Sequence, residues 1–112
     1  MVISPREDVD KILTDMRKAL SQNKFIPVKR HECTQTLAAL GMLWRDIIPV
    51  LKALTYDNYC NGPEVDYGRP DEDKLWVFKT QIDSAIIYIK FKVEYMVDGA
   101  VKVISFHFDD RF

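Results

Sequence analysis

Apolar positions along this chain change their period once, from helical to strand spacing, and the change divides the sequence. Val9, Ile12, Leu13, Met16 and Leu20 recur three and four residues apart, the spacing that lines one face of an α-helix. Ser4-Pro5-Arg6-Glu7 just before them joins a capping serine, a proline suited to the first helical position and a glutamate three residues after the serine. The pattern predicts a helix from about Pro5 to Ser21. Lys24-Phe25-Ile26-Pro27-Val28 reads as a short extended piece, because its proline is tolerated only at a sheet edge or in a loop. A second helix is expected from about Lys29 to Leu40, stopping at Gly41, with Leu37 and Leu40 inward and the basic Lys29-Arg30-His31 at its start. A third covers about Trp44 to Leu54, with Pro49 either in its first turn or at a kink. Thr55 to Asp73 contains Asn61-Gly62-Pro63, Tyr67-Gly68-Arg69-Pro70 and the acidic cluster Glu64, Asp66, Asp71, Glu72 and Asp73, and reads as a loop.

From Leu75 onward the period is two. Strands are expected over Leu75 to Gln81, Ala85 to Tyr95 and Ala100 to Phe108, joined by Ile82-Asp83-Ser84 and by Val97-Asp98-Gly99, whose Asp-Gly pair favours a tight hairpin. Three helices followed by a meander predict an α+β domain with the helices on one face of an antiparallel sheet of three or more strands.

Alternation then sorts each strand onto two faces. Trp76 and Phe78 share one face, and Val77, Lys79 and Gln81 the other. Ile87, Ile89, Phe91 and Val93 oppose Tyr88, Lys90, Lys92 and Glu94. Ile104, Phe106 and Phe108 oppose Val103, Ser105 and His107. Packing the apolar sets under the helices leaves Lys79, Gln81, Tyr88, Lys90, Ser105 and His107 facing water. Tyr, Lys and His are types that suit RNA cleavage by its own 2′-hydroxyl. One group takes the hydroxyl proton, one protonates the leaving oxygen, and cations stabilise the added phosphate charge. Histidine titrates near neutrality and tyrosine stacks on bases. The solvent face of an antiparallel sheet is polar in any case, so an ordinary solvated surface is the competing reading.

Composition narrows the class. At 112 residues, with 47% hydrophobic and 12% aromatic residues, the chain fits one domain over 1–112 with its own core. A net charge of −1 excludes a globally basic nucleic-acid binder, yet the acids gather in one segment and Lys74, Lys79, Lys90, Lys92 and Lys102 lie on or beside strands. The N-terminus shows no secretion signal and no apolar run approaches the ~18 residues of a membrane span, so a cytoplasmic protein is expected. Cys33 and Cys60 fit no metal-ligand spacing, so reduced thiols, no metal and no cofactor are expected.

Several short motifs, in order, add a resemblance. Leu40-Gly41, Ile47-Ile48 with Leu51, and Leu54-Thr55-Tyr56-Asp57-Asn58-Tyr59-Cys60-Asn61-Gly62-Pro63 resemble a helix and Tyr-rich turn of the MqsR family of toxins. Trp76-Val77-Phe78-Lys79-Thr80, Ile87-Tyr88-Ile89-Lys90 and Val103-Ile104-Ser105-Phe106-His107 resemble its Trp-containing strand, its Tyr-x-Lys strand and its closing strand. The similarity runs from about Phe25 to His107. It implies a RelE-like fold, metal-independent cleavage of messenger RNA, and neutralisation by a separate MqsA-like antitoxin whose N-terminal part binds zinc. By position Tyr88 matches its functional tyrosine, His107 its C-terminal basic residue and Lys90 the lysine two residues after that tyrosine, so these three are the expected catalytic residues; Lys79, Gln81, Asn61, Tyr59 and Lys92 are the expected RNA contacts. Two positions depart from the family: Asn61 stands where it commonly has lysine, and Val77 where glutamine follows the tryptophan. They motivate the alternative of a weak or inactive relative that binds RNA or a protein.

Overall fold

The computed structural model describes residues 3–70, 72–95 and 98–109. Helix α1 spans Arg6–Ser21 and buries Val9, Ile12, Leu13, Met16, Ala19 and Leu20, the stripe that the sequence spacing predicts. Its start is displaced by one residue. Pro5 precedes the first turn, and its carbonyl accepts the Asp8 and Val9 N–H groups. Ser4 is drawn away from capping by partners distant in sequence. Its N–H donates to the Tyr59 hydroxyl at 2.9 Å and its own hydroxyl to the Gly62 carbonyl at 2.7 Å.

Strand β1 (Phe25–Pro27) follows, then α2 (His31–Leu40), which ends on Gly41 at a left-handed φ of 69°. Lys29 and Arg30 lie outside this helix, because Val28 is still held to the Val103 carbonyl as an extension of β1. Arg30 remains at the helix start as its N-cap, and Glu32 in the first turn supplies an acid that offsets it. A 3₁₀ turn at Trp44–Asp46 runs into α3 (Ile47–Lys52). Pro49 occupies the first turn of α3, where an N–H would have no helical partner, so the helix continues.

The segment read as a loop contains structure. After a 3₁₀ turn at Tyr56–Asn58, strand β2 (Tyr59–Glu64) pairs antiparallel with β3 (Leu75–Ile82). Gly62-Pro63 reads as a loop signal, yet β2 is an edge strand, the one place a sheet accepts a residue without an N–H. With β4 (Ala85–Glu94) and β5 (Ala100–Phe108) the sheet has the order β1-β5-β4-β3-β2. It is five-stranded and mixed rather than purely antiparallel, because β1 joins β5 in parallel. Val97, placed in the β4–β5 turn by the sequence, and Asp71, in the acidic cluster, lie outside the described residues. Among the described residues, no helix is long and apolar enough to cross a membrane.

The helices pack on one sheet face. Phe78, Ile87, Ile89, Phe91, Val93, Val101, Val103 and Phe106 meet the buried residues of α1, α2 and α3 there in one core. Phe78 and Phe91 stack at its centre, with ring centroids 5.5 Å apart. Strict alternation fails in β5. Lys90 pairs with Ser105 and Phe91 with Val103, so Ile104 is an extra residue in a bulge. The bulge shifts the phase by one, which puts Val101 and Val103 on the core face together with Phe106. Val103 therefore does not share a face with Ser105 and His107, and Ile104, though buried, lies outside the packed core cluster.

Gly62 shows how tightly the β2 edge is set. Its φ is 128°, and a Cβ there would stand 2.9 Å from the Leu75 carbonyl oxygen. Gly41, at φ 69°, has open space around the same position. Gly62→Ala is expected to lower the urea midpoint by the equivalent of about 1–3 kcal/mol, and by more than Gly41→Ala. Equal midpoints for the two variants would contradict the close approach.

Candidate functional site

On the face away from the helices, the register lays three side chains in a row. Lys79 pairs with Tyr88, and Tyr88 with His107, on three adjacent strands. Both rings are half-buried, and they stack with centroids 5.0 Å apart and planes 15° from parallel. The next row carries Asn61, Val77, Lys90 and Ser105. Lys90 Nζ lies 6.0 Å from the Tyr88 ring centroid. The His107 Nδ1 is 2.9 Å from the Phe108 carbonyl oxygen. A carbonyl oxygen only accepts, so this bond needs the proton on Nδ1 and leaves Nε2 of the neutral ring as an acceptor.

The lysines of this face are not bare. Lys79 Nζ is 2.6 Å from Asp109 Oδ2, and Lys90 Nζ is 2.8 Å from Glu64 Oε1. Asn61 donates from Nδ2 to the other Glu64 oxygen at 2.5 Å. Asn61 thus positions the carboxylate that holds Lys90. Lys92 meets Glu72 at 2.7 Å and Asp66 at 3.3 Å. The acidic segment after β2 is therefore folded onto the sheet, where Leu75 and Val77 are also buried. Burial alone would lower the Lys90 pKa, but the hydrogen bond with Glu64, helped by Tyr88, outweighs it and leaves the value raised. Lys92 behaves alike under Glu72 and Asp66. Both remain cationic well past neutrality, which suits charge stabilisation rather than proton transfer.

Six sequence-derived candidates, Tyr88, His107, Lys90, Lys79, Gln81 and Asn61, share this face. Gln81 stands at its far end, donating to the Asp83 carbonyl. Two other candidates, Tyr59 and Lys92, are not open to a ligand on this face. Tyr59 pairs with Phe78 and lies on the helix side, its ring edge-on to Phe78 at 5.8 Å and its hydroxyl donating to the Gly62 carbonyl. Lys92 has a fully buried side chain beneath the acidic segment, so no ligand reaches it while that segment is in place. Glu64 and Asp109 were missed. The one available signal was the segregation of acids and lysines into different segments, which gives no pairing.

Cys33 and Cys60 form no disulfide, the Cys60 thiol donates to the Asn58 carbonyl at 3.8 Å, and burial pushes the Cys33 thiol up to about 11, away from the reactive thiolate. Among the described residues, no group of three or more His, Cys, Asp or Glu side chains is arranged to hold a metal ion.

The Lys92 clamp yields an expected outcome. Replacing both acids, Asp66→Asn with Glu72→Gln, strands a buried ammonium and should lower the urea midpoint, and adding Lys92→Met should recover most of the loss. The hydrogen bond from Lys92 holds the Glu72 carboxyl below its ordinary 4.5, so that part of the stability is present above 4.5 and lost as the pH falls through the lowered value. The raised Lys92 pKa adds a part that is present below 10.5 and lost as the pH rises past it. The wild-type advantage over the double variant should therefore be widest between about pH 5 and pH 10. A pH-independent difference would contradict the pairing. Compared with known proteins, the chain matches no family model, no curated protein and no solved structure.

Proposed function

We propose that this chain is a metal-independent endoribonuclease of the toxin kind, with a RelE-like fold, that cuts messenger RNA through the ribose 2′-hydroxyl and is neutralised by an MqsA-like antitoxin. The observation that carries this reading is the stacked Tyr88–His107 pair with Lys90 and Lys79 beside it. The ordered motifs shared with the MqsR family supply the second support.

In the proposed reaction, His107 Nε2 takes the 2′-hydroxyl proton and the 2′-oxygen bonds to phosphorus. The bond from phosphorus to the 5′-oxygen breaks, and that oxygen receives the Tyr88 hydroxyl proton. A 2′,3′-cyclic phosphate and a free 5′-hydroxyl result. The Lys90 ammonium stabilises both the crowded phosphate and the Tyr88 phenolate, after exchanging Glu64 for the phosphate. Lys79 makes the same exchange with Asp109.

Purified protein incubated with a defined single-stranded RNA in excess chelator should give cyclic phosphate ends. His107→Ala and Tyr88→Phe should each slow cutting by about 100-fold or more while leaving the urea midpoint near wild type. Unchanged cleavage by both would reject the site. The pairing of Lys79 and Lys90 with carboxylates favours one other reading, a binding module whose face is nearly neutral. It is recognised by RNA retained without cut ends.

A further inference from the structure

Helix α2 runs beside β5 and leaves a cleft of about 340 Å³ lined by Glu32, Gln35, Thr36, Ala39, His107 and Phe108. A smaller recess, walled in part by Arg30 and Ser105, shares Glu32 and His107 with it. The cleft therefore reaches β5 at His107, one residue along the strand from Phe108.

Its wall chemistry is selective. The Phe108 ring is 37% exposed, and Ala39 beside it adds little bulk, which leaves a flat apolar surface. The Thr36 hydroxyl is already committed to the Glu32 carbonyl at 2.9 Å. Glu32 and Gln35 are exposed, and no hydrogen bond or ion pair engages either side chain among the described residues. On the neighbouring sheet face, by contrast, every lysine of the site has a carboxylate partner. A free carboxylate beside a phosphate site repels the RNA backbone, but it suits a base edge that offers N–H donors.

We infer that this cleft seats one nucleobase next to the cut, a base bearing an exocyclic amino group, with Glu32 and Gln35 reading its edge. The base stacks on Phe108, its amino group donates to Glu32, and the Gln35 amide, donor and acceptor at once, completes the edge. Arg30 holds the adjacent phosphate. Uracil, which has no exocyclic amino group, is disfavoured. This inference rests on the ribonuclease reading and names the substrate specificity of the same site.

The test uses short single-stranded RNAs that differ at one base, with cut positions mapped for wild type, Glu32→Gln and Gln35→Ala. Wild type should require an amino-bearing base at one fixed position beside the cut. Glu32→Gln should admit uracil there, and Gln35→Ala should lower kcat/KM on the preferred RNA by about 5- to 150-fold. Cutting by both variants with wild-type sequence preference and rate overturns the inference and leaves the ribonuclease reading standing. If wild type cuts no RNA, the ribonuclease reading falls, and fluorescence anisotropy with oligo(C) and oligo(U) decides the cleft. Tighter oligo(C) binding that Glu32→Gln abolishes supports it, and equal or absent binding of the two overturns it.

Discussion

The layer of apolar side chains between the helices and the sheet sets the position of everything on the opposite face. Phe78, Ile89, Phe91 and Phe106 are fully buried there, and Phe78 stacks on Phe91. Side chains in a strand alternate, so a slip of one residue would carry these rings into water and bring Tyr88 or His107 into the core. Burying aromatic and branched residues of this size is worth about 1.5–3 kcal/mol each relative to exposure. The register that places Tyr88 directly opposite His107 is therefore enforced by residues that never touch that pair.

Much of this was legible in the sequence, wherever one local rule acted without competition. The α1 stripe, the Gly41 stop and the alternation within β4 appear where the pattern puts them. Legibility fails wherever a distant partner outbids a local preference. Ser4 is a capping residue by type, but its hydroxyl is claimed by Gly62, 58 positions away. Gly62-Pro63 is a turn signal by type, but at a sheet edge the missing N–H costs nothing. The β5 bulge is invisible to a period of two, because Val103 and Ile104 are both apolar and only the β4 register shows which of them is extra.

The site was legible in membership and not in state. Tyr88, His107, Lys90 and Lys79 are gathered by strand parity alone, and parity is a sequence property. Tyr59 had no face in the sequence reading because its strand reads as loop, and the structure puts it on the helix side. The pairing of Lys90 with Glu64, and of Lys92 with Asp66 and Glu72, joins residues 20 to 26 positions apart through a turn-rich segment whose path no local rule specifies.

That acidic covering alters the electrostatics of anything approaching the sheet. A polyanion reaching Lys79 and Lys90 displaces protein carboxylates instead of loosely held salt ions, so fewer small ions are set free than the count of lysines suggests. Affinity then weakens with ionic strength less steeply than the roughly 0.7 logarithmic units per phosphate contact of a bare basic groove on single strands. A face whose lysines are already paired offers weak nonspecific attraction to any polyanion, so selectivity there would rest on the shape and donor pattern around the tyrosine and histidine.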